Sequence, residues 1–118
     1  MCLGHDRRAL LLLVECWNTI MDVGGSARSF DRKLADLHAV AVTRFPEQET
    51  GVRGCWVVRA TRRTRWLVAR YPEVFATRFP GSSVGWVRAL TTGAEPPEEP
   101  GLIWCGAAAT RLFAWRHR

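Results

Sequence analysis

The chain is poor in lysine, in tyrosine and in cysteines spaced as pairs. Lys33 is the only lysine among 17 basic residues, and Tyr71 is the only tyrosine. Arginine therefore carries nearly all the positive charge, a bias that GC-rich codon usage also produces. Cys2, Cys16, Cys55 and Cys105 form no C-x-x-C pair, and His5, His38 and His117 do not cluster beside them. That spacing argues against a zinc site, and no metal ligand set is expected. It fits a reduced, cytoplasmic protein. Cys16 and Cys55 fall inside apolar runs and read as small buried residues. Long apolar runs are missing too. Arg7 and Arg8 followed by "ALLLLV" resemble the start of a signal peptide, but Glu15 stops the run far short of a membrane span. No membrane partner is expected.

What remains is a core-forming sequence. The 118 residues fit one domain, and a hydrophobic content of 47% with six tryptophans excludes a disordered chain. A chain of this size covers roughly two-thirds of its unfolded surface on folding. The formal charge of +6 favours phosphate-bearing or acidic partners without specifying a sequence.

Residues Arg8 to Trp17 make a continuous apolar run of strand length, the pattern of a strand buried on both faces. "TIMDVGGS" breaks it, and Ser26 can cap a helix. Phe30, Leu34, Leu37 and Ala41 then recur at helical spacing, with Arg28, Arg32 and Asp36 facing elsewhere, which predicts a helix over 26–43. "VRGCWVVRA" is rich in β-branched and aromatic residues and predicts a second strand. Thr61 caps "RRTRWLVARY", and Pro72 opens another helix through "EVFATRF". Ser82 or Ser83 caps "VGWVRALTT", which Gly93 ends. "AEPPEEP" is a solvated connector, and two short strands are expected at 102–105 and 111–115. The order strand, helix, strand, helices, two strands predicts an α/β or α+β domain. Its small mixed sheet contains a strand–helix–strand crossover covered by helices.

Glu15 carries the first candidate chemistry. Metal-dependent nucleases hold a divalent ion with two carboxylates and stabilise developing phosphate charge with a lysine. One acid and the lysine lie two residues apart on a strand, because a period of two points both to one face. With Glu15 as that acid, Trp17 occupies the lysine position, and Asp6 is the only candidate for the other acid. On its own, an acid here more often marks an exposed strand end.

A resemblance adds to this reading. "LLLLVECWNTIMDVGGSARSFDRKLADLHAVA" followed by "VRGCWVVRATRRTRWLVARYPEVFATRFPGSSVGWVRALT" resembles the C-terminal region of actinobacterial regulators with an XRE-type helix-turn-helix at their N-terminus. That region looks like a degenerate restriction-endonuclease-like, or PD-(D/E)XK, domain. "VECWN" corresponds to the family strand ending "VEVWN" or "VEIKT", "SFDRK" to the helix after it, and "CWVVRATRRTR" to the next strand and helix start. The resemblance spans about 8–115. It implies a restriction-endonuclease-like core without its first elements, and a truncated or stand-alone C-terminal regulatory module covering 1–118. Trp17 departs from the family pattern and argues against full nuclease activity. A lysine or arginine on the following helix, Lys33 or Arg32, can substitute for it.

Arg59, Arg62, Arg63, Arg65 and Arg70 fall around a strand end and helix start, interleaved with Trp66 and Tyr71. Guanidinium groups and helix-start amides make a candidate phosphate or nucleic-acid site; a solvated face is the plainer reading. "GSSVG" matches G-x-S-x-G with Ser83 as nucleophile, but a helix precedes it, and His117 is the only later histidine, so helix capping is the better account. Trp56, Trp66, Trp86, Trp104 and Trp115 read mostly as core.

The expected function is a non-catalytic accessory or regulatory module of a DNA-binding transcriptional regulator. Its expected roles are association, effector sensing or supporting DNA contacts, with DNA, a phosphate-rich ligand, a second copy or a separate helix-turn-helix protein as partner. No cofactor is expected. The alternatives are a Mg²⁺-dependent nuclease using Glu15, Asp6 and Lys33, and a protein-interaction domain with no nucleic-acid role.

Overall fold

A computed structural model describes residues 8–106 and 111–116. It is a mixed α/β domain. Strand β1 (Arg8–Trp17) leads into helix α1 (Val23–Arg44) and strand β2 (Glu49–Arg59). Helices α2 (Arg62–Arg70), α3 (Pro72–Arg78) and α4 (Ser83–Thr92) follow, then strands β3 (Gly101–Cys105) and β4 (Leu112–Ala114). The four strands lie side by side in chain order. β1 and β3 are both parallel to β2, and β4 runs antiparallel to β3. Glu15 sits beside Trp56 near the carboxyl end of β1, in the same sheet as Cys55–Arg59, as the two apolar runs predict.

Period-two alternation divides the sheet into two faces. Trp56, Val58, Leu102 and Trp104 meet Phe30 of α1, Val68 of α2 and Phe75 of α3 on one face. Cys55, Val57 and Ile103 meet Trp86 of α4 on the other. Helices therefore cover both faces. The cover over β1 is one-sided: Leu11, Leu13, Glu15 and Trp17 are half-buried, whereas Leu12, Val14 and Cys16 are exposed. The expectation of a strand buried on both faces is corrected here. Among the described residues β1 is an edge strand, and α4 lies over β2 and β3 rather than over it. Cys16 is consequently exposed, and only Cys55 is buried as expected.

Capping chemistry fixes the helix ends. α1 begins at Val23 rather than near Ser26, because the Asp22 side chain accepts from Gly25 N–H at 3.0 Å and draws both glycines into the first turn. Thr61 caps α2 in a reciprocal box: its hydroxyl accepts from Thr64 N–H, and the Thr64 hydroxyl accepts from Thr61 N–H. Pro72 occupies the first turn of α3. Ser82, not Ser83, caps α4, and Gly93 ends it at φ 79.

Two glycines set how closely the helices approach the sheet. A Cβ at Gly54 would meet the Phe30 ring and Leu34 of α1, and one at Gly101 would run into the Trp86 indole of α4. That indole is fully buried and donates to Glu99 O at 3.1 Å, so it has no free path away. Gly101→Ala should therefore destabilise the fold by about 1–3 kcal/mol, the cost of overpacking. Urea unfolding followed by circular dichroism checks this, and an unchanged midpoint would contradict the close-approach argument.

Candidate functional site

Glu15 stands on an otherwise apolar face. Its neighbours two residues away on β1 are Leu13 and Trp17, and its register partner is Trp56. Its side chain keeps only 13% of its exposure, and Lys33 Nζ lies 2.6 Å from Oε2. The spacing that places Phe30 and Leu34 against the sheet brings Lys33 round to the end of β1. The only lysine in the chain thus meets the acid that the sequence singles out. Oε1 is buried without a hydrogen-bond partner, as is the neighbouring Trp17 Nε1.

Trp17 does not leave space where a lysine would act. Its ring lies 5.2 Å from that of Trp56 and packs against the core. Asp6 lies outside the described residues. Arg32 is exposed, and Lys33 is the basic residue that reaches Glu15. Among the described residues no group of three His, Cys, Asp or Glu side chains converges as metal ligands do. Divalent Mg²⁺ takes about six oxygens in near-octahedral order. Glu15, with one oxygen committed to Lys33, does not fit that demand alone.

The ion pair has an energetic consequence. Removing the ammonium leaves a mostly buried carboxylate with neither oxygen satisfied. Lys33→Met should therefore lower stability by about 1–3 kcal/mol. Adding Glu15→Gln should recover part of that loss, because the uncompensated charge is gone. Chemical denaturation of the two single variants and the double variant reads the coupling. Independent, additive effects would show that the two groups do not interact.

The arginine cluster lies at the carboxyl ends of the parallel strands. Arg59 ends β2, and Arg62, Arg63, Arg65 and Arg70 follow on α2; all five are exposed. Arg62, Trp66 and Arg70 recur at i, i+4 and i+8 and so share one helix face. Trp66 is 59% exposed, which corrects its assignment to the core: it faces solvent on the helix face that also carries Arg62 and Arg70. Trp56, Trp86 and Trp104 are buried as expected, and Trp115 is half-buried. Arg70 lies over the Tyr71 ring at 5.3 Å. Arg65 and Arg111 both approach the Phe113 ring, at 5.9 and 5.6 Å. Arg111 escaped the sequence reading because it lies far from the cluster in the chain, and the short β4 brings it back. The ion pairs seen among the described residues are Lys33–Glu15 and Arg78–Asp31; neither engages α2.

Beside Arg59, on the α4 face, a cleft of about 480 Å³ is lined by Cys16, Asn18, Val57, Leu90 and Cys105, among others. Open α/β sheets commonly bind ligands at the carboxyl ends of their strands. The walls of this cleft are chiefly apolar and Arg59 forms part of its rim. Ser83, by contrast, is buried, and its hydroxyl donates to Arg116 O at 2.7 Å. That bond ties α4 to the segment after β4, and His117 lies outside the described residues.

Cys55 is pushed up from 9.0 to about 12, first by burial and then by the neighbouring Cys16 thiol. The unfolded thiol ionises near 9.0, so between there and about 12 the unfolded state holds fewer protons than the folded one. Stability is fully retained below the lower value and falls as pH rises through this window, by up to about 1.4 kcal/mol per pH unit. Denaturation midpoints across that range should fall less steeply for Cys55→Ala than for the native chain. Parallel slopes would contradict the buried-thiol account.

No protein-family model, curated protein or solved structure matches the chain.

Proposed function

We propose that the chain is a non-catalytic accessory module of a DNA-binding transcriptional regulator, and that α2 makes supporting contacts to nucleic-acid phosphates. The observation that carries this reading is the exposed Arg62–Trp66–Arg70 stripe, flanked by Arg63 and Arg65, with no carboxylate paired to any of these arginines among the described residues. A solvated basic face in a folded protein is commonly tempered by interspersed acids. Here the guanidinium groups are left for an external anion, and an exposed indole among them offers a surface for stacking. The proposed relationship to XRE-type regulators and to a degenerate restriction-endonuclease-like domain rests on the sequence resemblance. The strand-end position of Glu15 is compatible with it.

The nuclease alternative has one observation in its favour, the contact between Lys33 and Glu15. That contact takes one of the two carboxylate oxygens, and among the described residues no further acids converge on Glu15 to complete a metal site. It is therefore the weaker reading.

Fluorescence anisotropy with a labelled duplex, across a salt series, tests the proposal. The native chain should bind without marked sequence preference, with affinity falling steeply as salt rises. Replacing Arg62, Arg63 and Arg65 together by alanine should flatten the log–log salt slope by up to about 3, if each neutralises one phosphate. The same duplex incubated with Mg²⁺ should stay intact. Unchanged binding in the triple variant would sink the phosphate-contact reading. Mg²⁺-dependent cleavage abolished by Glu15→Ala would favour the nuclease instead.

A further inference from the structure

β1 forms one margin of the sheet, with β2 on its inner side and no other strand of the described residues on its outer side. Sheet margins usually carry a device that stops them pairing with another chain: a proline, an outward lysine, a bulge, extreme shortness or an inward-pointing charge. Of these β1 has only the last, Glu15 near its carboxyl end, where Lys33 pairs with it. The strand is ten residues long, contains no Pro, Gly or Lys, and keeps unbroken register with β2 from Arg8 to Trp17. Its centre, Leu10–Val14, is wholly apolar. On the side that α4 leaves open, Leu12 and Val14 remain 44% and 37% exposed. A groove of about 390 Å³ runs there between Leu10–Leu12 and the end of α4 with its proline connector.

We propose that β1 pairs antiparallel with β1 of a second copy, across a two-fold axis normal to the sheet, to join two four-stranded sheets into one of eight. Such an axis keeps each helical layer on its own side. It therefore requires that paired residues point to the same face, so residues of like parity stand opposite one another. Centred on Leu12, the pairing sets Leu12 against its own copy, Leu11 against Leu13, and Leu10 against Val14. Apolar residues meet apolar residues throughout, within side-chain contact range. Arg8 falls opposite Cys16 and Glu15 opposite Ala9, so no charge meets a like charge. This self-complementarity is the reason to name a second copy of this chain as the occupant, rather than an unrelated strand.

The dimensions set the strength. A ten-residue strand is about 33 Å long and a sheet layer about 10 Å thick. The edge therefore presents roughly 330 Å² a side, well below the ~800 Å² of a standard stable interface. Main-chain hydrogen bonds and the two leucine stripes would have to supply the rest. The resulting dimer is a weak one, populated only at high protein concentration.

Sedimentation equilibrium of the whole chain, from about 1 to 500 µM in salt near 0.15 M to screen the net positive charge, tests the proposal. A monomer–dimer equilibrium is expected. Leu12→Lys would place two ammonium groups opposite each other at the axis and should weaken association by at least about tenfold. Val74→Lys, at an exposed position on α3, should leave it unchanged. Amide exchange of the native chain should show protection at Leu10–Val14 that grows with protein concentration; this measurement stands even if Leu12→Lys fails to fold. A native chain that stays monomeric at the highest concentration would overturn the proposal, leaving the edge to some other partner. So would a dimer untouched by Leu12→Lys, one broken by Val74→Lys, or concentration-independent exchange along β1.

Discussion

The structure depends on the aromatic contacts around Trp56. This residue lies in the carboxyl-terminal half of β2, is fully buried, and touches three other rings. Trp17 comes from β1, Phe30 from α1, and Phe79 from the residue that closes α3, with centroids 5.2, 5.9 and 4.7 Å away. One indole thus gathers the first strand, the crossover helix and the end of the helical run against the central strand. The arrangement carries a cost: the Trp56 Nε1 hydrogen is buried without an acceptor. An unsatisfied donor costs about 1–3 kcal/mol, which the packing of large rings must exceed.

That cluster also explains why the acid at Glu15 survives where apolar residues prevail. Glu15 is the register partner of Trp56, so the sheet draws it toward the core. Lys33 reaches it from α1 because Phe30, one turn earlier on the same helix, is locked against Trp56 and Phe79. The ion pair follows from the position of the aromatic cluster. Its half-exposed lysine keeps one side in water, which limits the desolvation penalty on the pair.

Much of the fold was legible in the chain, because local rules and tertiary packing agree over most of it. β1 is found with the very bounds its apolar run implies, and Thr61, Pro72 and Gly93 punctuate the helices as their chemistry demands. The errors have identifiable causes. Ser26 and Asp22 are both competent caps, and the two glycines between them hid which one acts. A continuous apolar run cannot reveal that a strand lies at the sheet margin, since its sequence matches that of a strand covered on both sides. The spacing of Trp66 within its helix suggests the core, although α2 turns Leu67 and Val68 inward and leaves Trp66 in solvent. At the candidate site, the sequence named Glu15 and Lys33 but could not say that they touch. It missed Arg111 altogether, because the convergence on Phe113 exists only once β4 has folded back.

The strand order has a consequence for how the chain acquires its shape. β2, the strand that carries Trp56, takes one neighbour from residues 8–17 and the other from 101–105. Both pairings are parallel, so neither is a local hairpin, and each must bridge a long intervening segment before any ladder bond forms. On a ribosome, β1, α1 and β2 can meet while the rest is still being made, but the opposite edge of β2 stays bare until residues 101–105 have emerged. Maturation of the sheet is therefore expected to be slow. During that interval the tryptophan-bearing strand at the centre of the finished molecule is its most adhesive part.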